Sequence, residues 1–361
     1  MSNLNKRHLF FLITGLIVVP IKTYPTIFTK TGGRDSWISL IFATIFIIIF
    51  FLSILYICKR KNCYDIIDIY KAAFGNVIGN FLIIMFALNI FLSLVESAAV
   101  EASSINVQFL IYTPVWNLLL LSVPVAVYIV KCGYSAVLSS VLIGIIFIST
   151  SGVILFFLTW KYKDFIRLLP ILEHGFDMNF FITVIKLIGA YGGLYIVLLY
   201  LTDIKDTKII SKYSLYALIY VAQMQIISMT GTIATFEITI LNSMSYPKLM
   251  QTQLIRQFNF LEAGELFVML QIVAGWLLRT VITLFAIMKV FKKLNIDRPF
   301  MLYLVGICLY FSAFFAGRNL FTLFKLLDYL QYINLMNYVI IPIFVFIIFY
   351  IRKKNVNIIN E

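Results

Sequence analysis

The chain has 361 residues, 62% of them hydrophobic and 12% charged, with a mean hydropathy of +0.98 and a formal net charge of +13. A water-soluble domain carries about a quarter charged residues and has no means of hiding so much apolar surface, so the composition excludes one and points to an all-α polytopic membrane protein. The basic residues punctuate apolar runs instead of forming a stripe, which reads as Lys and Arg facing anionic lipid and speaks against nucleic acid as a partner.

In chain order, Lys6, Arg7 and His8 precede an apolar run that opens at Leu9. No small-residue cleavage site follows, so the run reads as a first span, not as a signal peptide. Hydropathy predicts about ten spans, near 8–30, 37–57, 78–106, 115–131, 134–160, 178–201, 209–241, 261–288, 299–317 and 333–352. Segment 63–77 is too polar to cross and predicts an interfacial amphipathic helix. No linker or low-complexity stretch divides the chain, so residues 1–361 read as one transmembrane domain. With the N-terminus in the cytoplasm, seventeen of the 29 Lys and Arg residues fall on that side and nine on the other; Lys22, Lys186 and Arg279 lie within spans. That bias predicts both termini inside and an even number of spans.

Two spans break helical rules. The first contains Gly15, Pro20 and Pro25, and the sixth contains Gly189, Tyr191, Gly192 and Gly193. Proline removes a backbone donor and glycine loosens a helix, so both spans are expected to be broken. Irregular backbone at membrane depth is tolerated only inside protein or around a cavity. Spans one and six hold equivalent positions if the chain is a five-plus-five inverted repeat, with a first repeat at about 8–160 and a second at about 178–352, and such breaks mark the central site of transporter-like folds.

Seven ionisable residues lie at apparent membrane depth: Lys22, Glu96, Glu101, Lys186, Glu237, Glu265 and Arg279. Each is costly unless paired or hydrated. Lys186, Glu265 and Glu101 are close enough to span ends for interfacial placement, and Glu237 reads as a structural or interfacial carboxylate. Lys22 and Glu96 read either as an ion pair with each other, the commoner arrangement, or as ligand contacts. Arg279, with Thr280 and Thr283 beside it, reads as an anchor or as a ligand contact. Catalysis finds no support: the two histidines, His8 and His174, have no nucleophile–base–orienter set around them, the four cysteines match no zinc or redox spacing, and no cofactor motif is present.

Gly33-Arg34-Asp35-Ser36-Trp37-Ile38-Ser39, straight after the first span, resembles the GerAB-type spore germination receptor B subunits, members of the amino acid–polyamine–organocation superfamily with a LeuT-like fold. Thr113-Pro114-Val115-Trp116, Leu201-Thr202-Asp203-Ile204-Lys205, and Glu265-Leu266-Phe267 followed by Arg279 are similar to further patterns of that family. Pro25 matches the proline that closes its first break, while Val18 and Pro20 stand where family members commonly carry a glycine pair. Gly193 stands where they often carry an acidic residue. The resemblance implies a nutrient-sensing subunit in the inner membrane of spores, beside an A-type subunit and a C-type lipoprotein subunit, with a small molecule, an amino acid in the first instance, in a midplane pocket. The pocket residues it singles out, together with the breaks and charges, are Val18, Pro20, Lys22, Glu96, Gly189, Tyr191, Gly192, Gly193, Arg279, Thr280 and Thr283. The alternative it leaves is a secondary amino acid permease of the same fold.

Overall fold

The computed structural model describes residues 6–173, 175–204, 209–255 and 264–352. His174, Lys205, Lys208, Arg256, Lys353 and Lys354, which figured in the reading above, lie outside them. Fifteen α-helices are described: α1 (Lys6–Ile17), α2 (Pro20–Thr23), α3 (Thr26–Gly32), α4 (Ser36–Lys61), α5 (Ile66–Gln108), α6 (Val115–Lys131), α7 (Tyr134–Leu158), α8 (Met178–Tyr191), α9 (Ile210–Thr235), α10 (Ile238–Ser243), α11 (Pro247–Gln253), α12 (Gly264–Lys293), α13 (Met301–Gly317), α14 (Leu320–Leu335) and α15 (Ile341–Ile351). Seven helical runs are long and apolar enough to cross a membrane, and three shorter apolar ones, His8–Thr23, Val115–Lys131 and Met301–Gly317, accompany them.

Backbone chemistry explains where the runs change direction. Asp65 caps α5 by accepting from the Ile67 amide at 3.0 Å. Within α5, Gly75 adopts φ +81°, a conformation side chains resist, and separates a short first helix from the span proper. This short helix lies within the segment 63–77, for which an interfacial helix was expected. Pro20 has no N–H to offer the Leu16 carbonyl, so the first span steps from α1 to α2 and again, through Tyr24 and Pro25, to α3. Span six does not unwind. It tightens from α8 into a 3-10 helix, Gly192–Asp203, whose residues through Leu201 are buried.

Two expected boundaries are corrected. The seventh span ends at Thr235, so Glu237 is exposed in the connection before α10 instead of lying at depth. The tenth begins at Leu320, well before 333, and runs through a π-helical turn, Met336–Ile340, into α15. Lys325 and Asp328 had depressed its hydropathy; Asp328 is the partner of buried Lys186, at 2.7 Å. Helix packing here cannot draw on water exclusion, since lipid is as apolar as leucine, so close approach of small residues matters. A methyl group on Gly275 of α12 would lie 2.6 Å from a Val19 methyl, and one on Gly144 of α7 would lie 2.5 Å from a Leu278 methyl.

Candidate functional site

The centre of the molecule is an ion pair. Arg279 on α12 donates to Glu96 on α5 through both terminal nitrogens, Nη1 to Oε1 at 2.9 Å and Nη2 to Oε2 at 2.8 Å. Both side chains are almost completely removed from the surface. The bidentate geometry suits two planar groups and is the strong form of the interaction. Tyr24, the residue between α2 and α3, donates its hydroxyl to Glu96 Oε1 at 2.5 Å, and its ring stacks on Trp276, one turn before Arg279. The expectation that Glu96 pairs with Lys22 is therefore corrected. Lys22 is two residues from Tyr24 and faces elsewhere, into a cavity with Lys248.

Around the pair, α5 presents Asn89, Ser93, Glu96 and Ser97 at helical spacing, all buried. Asn89 donates to Asn334 on α14 at 3.2 Å, and Ser93 shares a hydrogen bond of 3.0 Å with Tyr338. Three neighbouring buried atoms have no partner among the described residues: Trp276 Nε1, Arg279 Nε and Thr283 Oγ1. They recur at three and four residues, hence on one face of α12. Buried polar atoms are nearly always satisfied, so such a set leaves hydrogen-bonding capacity for a further polar group.

The two irregular spans meet at this face. A methyl group on Gly193 would lie 3.7 Å from Arg279 Nη2 and 3.8 Å from the Leu16 carbonyl oxygen, the one Pro20 leaves without its helical donor. The neighbouring Ile17 carbonyl accepts from Gln225 of α9 at 2.6 Å. The other glycines of span six do something different. A methyl on Gly189 would overlap the backbone carbonyl of Gln331, and one on Gly192 would lie 3.0 Å from the Tyr338 ring. These two let α8 and its 3-10 continuation sit against α14.

Of the residues singled out from sequence, Glu96, Gly193 and Arg279 therefore gather at one point, with Thr283 on the same helix face. Val18 and Pro20 are buried in the break itself, and Val18 also lines the Lys22 cavity. Tyr191 turns to Thr44 of α4, sharing a hydrogen bond of 2.7 Å, and Thr280 donates back to the Trp276 carbonyl at 2.9 Å, so neither points to the pair. Tyr24, Trp276, Ser93, Asn89, Asn334 and Tyr338 were missed. The α5 residues carried a signal, polar side chains at helical spacing inside an apolar span. Tyr24 and Trp276 are indistinguishable in sequence from the other aromatics.

A polytopic helical membrane protein with a buried, incompletely satisfied polar centre at a broken span is the class that fold and site define. The particular family follows from comparison with known sequences. The chain belongs to the spore permease family, described as spore germination proteins, whose model matches residues 3–315. It is 26% identical over 318 residues to the spore germination protein GerQB of Bacillus cereus, a match covering 86% of this chain and 85% of that one.

Proposed function

We propose that this protein is the nutrient-sensing membrane subunit of a spore germination receptor, working beside A-type and C-type subunits in the spore inner membrane, with both termini in the cytoplasm. The name of its Bacillus cereus relative supports the setting. The observation that carries the binding site is the trio of atoms on α12 without a partner among the described residues, on the helix that brings Arg279 to Gly193 beside the freed Leu16 carbonyl. Trp276 Nε1 and Arg279 Nε are donors, Thr283 Oγ1 is both donor and acceptor, and the Leu16 oxygen is an acceptor. That combination suits a zwitterion: a carboxylate toward the α12 donors and an ammonium toward the carbonyl, with Glu96 near enough to add negative potential. Gly193 has no side chain, and a larger residue there would crowd Arg279 and the Leu16 carbonyl. A five-plus-five arrangement, in which spans one, three, six and eight surround a central pocket, is consistent with this site.

Binding to the folded state raises its stability by mass action. Thermal unfolding of the purified protein against a panel of amino acids is therefore the test, repeated in Gly193→Leu, which fills the approach. A saturable shift with one or more amino acids, lost in the variant, supports the site; no shift across the panel, or an undiminished shift in Gly193→Leu, overturns it. The second reading, a permease, draws on the family's description and on the broken first span. It predicts uptake of labelled amino acid into vesicles containing this chain alone, which a subunit that only senses does not perform.

A further inference from the structure

Apart from the Glu96–Arg279 centre, the structure gathers a group of cations that have no ion-pair partner among the described residues. A small cavity of about 30 Å³ lies where α2, α7, α11 and α12 meet, and Lys22 and Lys248 both line it. Lys22 has no ion pair or hydrogen bond through its ammonium among the described residues. Lys248 is held by a neutral partner, the Gln251 side-chain oxygen at 2.7 Å. Gln251 is itself fixed, donating to the Gly231 carbonyl at 3.0 Å and to Thr235 Oγ1 at 2.6 Å, so Lys248 is held in place. Lys163 flanks the group, its ammonium 4.5 Å from the Phe156 ring centre and 3.5 Å from the Phe156 carbonyl oxygen, in no ion pair among the described residues. The rest of the lining is Val18, Val19, Thr23, Ile148, Leu249, Val268, Gln271 and Ile272, none of which carries a negative charge. Burial, together with the positive charges of Lys22 and Lys163, pushes Lys248 down to about 7. Like charges gathered in a poorly hydrated space repel unless an anion lies between them.

We propose that this cavity is an anion site, in which a single small anionic group is held between the Lys22 and Lys248 ammonium groups. The cavity exceeds the roughly 10–15 Å³ that one water needs, but not by enough for a whole metabolite. A halide or a terminal carboxylate fits; a phosphate ester does not. Gln271 lies five residues from Trp276 on α12, a rise of roughly 8 Å, so the site stands above the central pair on the side where α10 and α11 cover the protein. An anion there joins α11, a helix outside the spans, to α2, the segment inside the break of span one. It would thereby hold the cover against the break. The inference rests on the cavity alone and stands whether or not the centre binds an amino acid.

The experiment is thermal unfolding of the purified full chain at constant ionic strength, with sodium gluconate as the reference salt. Sodium chloride, sodium acetate and alanine are titrated separately. A saturable stabilisation by chloride or by acetate supports the site. Chloride without acetate identifies an inorganic anion; acetate and alanine together identify the carboxylate of an organic ligand. Lys22→Met and Lys248→Met each remove one charge-assisted contact and should weaken the anion at least roughly tenfold. Each also relieves repulsion, so both variants should unfold no lower than the parent in gluconate. No difference between gluconate and the two small anions overturns the proposal, as does an anion effect of full size in the Lys22→Met/Lys248→Met double variant. Should either methionine variant fail to accumulate, Lys248→Gln, which keeps a polar group of similar reach beside Gln251, carries the same comparison.

Discussion

At the residue scale the centre is governed by the cost of a lone charge in a dry interior. Glu96 and Arg279 satisfy each other through two hydrogen bonds, and Tyr24 adds a third to the carboxylate. Arg279→Met strands a carboxylate, and Glu96→Met strands a guanidinium; either loss costs about 3–5 kcal/mol by the usual behaviour of buried pairs. The double variant Arg279→Met/Glu96→Met leaves no buried charge and should unfold above both single variants. Tyr24→Phe removes one hydrogen bond to a charged group, an effect of about 1.5–3 kcal/mol. Thermal unfolding of the four proteins in nanodiscs measures the coupling, and simple additivity of the single losses would show that the two groups do not act as a pair. Both residues were visible in the sequence as ionisable groups at depth. Their partnership was not, because 183 positions separate them and Lys22 lay nearer the same break. Pairing is set by which helix faces meet, and helical periodicity alone does not say that.

At the scale of elements, span six separates two roles that the sequence merges. The run Gly189–Gly193 was legible as a place where the helix departs from rule, and the backbone does switch from α to 3-10 at Gly192. What was not legible is that Gly189 and Gly192 face α14 and the Tyr338 ring while Gly193 faces Arg279 and the Leu16 carbonyl. Consecutive positions on a helix point in different directions, so the neighbours decide the role. The consequence is a pair of opposite outcomes from one substitution type. Gly189→Ala drives a methyl into the Gln331 backbone, which has no rotamer by which to escape, and should destabilise by more than the roughly 1–3 kcal/mol usual for overpacking. Gly193→Ala adds a methyl at ordinary contact distance and should accumulate and unfold like the parent, its effect confined to the amino acid response. Expression and thermal unfolding of the two variants side by side check this. Equal stability would mean that α8 and α14 are not in the contact described. Boundaries followed the same logic: charged residues shortened the tenth span in the sequence because Asp328 reads as a loop residue until Lys186 is seen beside it.

At the scale of the whole molecule, ion pairs tie α12 to its neighbours on the side where it ends. On that side Lys289 pairs with Asp203 at 2.5 Å, and Lys293 of α12 pairs with Asp65 at the start of α5. Cys63 lies under this second pair, 7% exposed, and burial with the nearby Asp68 carboxylate pushes its thiol up to about 11, against a smaller opposing effect of Lys293. A thiol reacts through its thiolate, so in the resting protein maleimide should label Cys63 slowly at neutral pH. Lys293→Gln then separates two accounts by sign. If the pair only sets a local field, removing the cation takes away a charge that favours the thiolate, and labelling slows further. If the pair holds α12 against α5, the variant admits water, the thiol falls back toward its ordinary range, and labelling accelerates, by an amount on the order of tenfold or more for each unit recovered. The measurement is site-resolved mass spectrometry in a Cys132→Ser/Cys308→Ser background, since those two thiols are exposed, with buried Cys58 as an internal comparison. Faster labelling of Cys63 with Cys58 still protected marks an opening confined to the rim. Labelling of both marks a larger separation of α4 and α5 from α12, and a slower rate assigns Lys293 to the field alone.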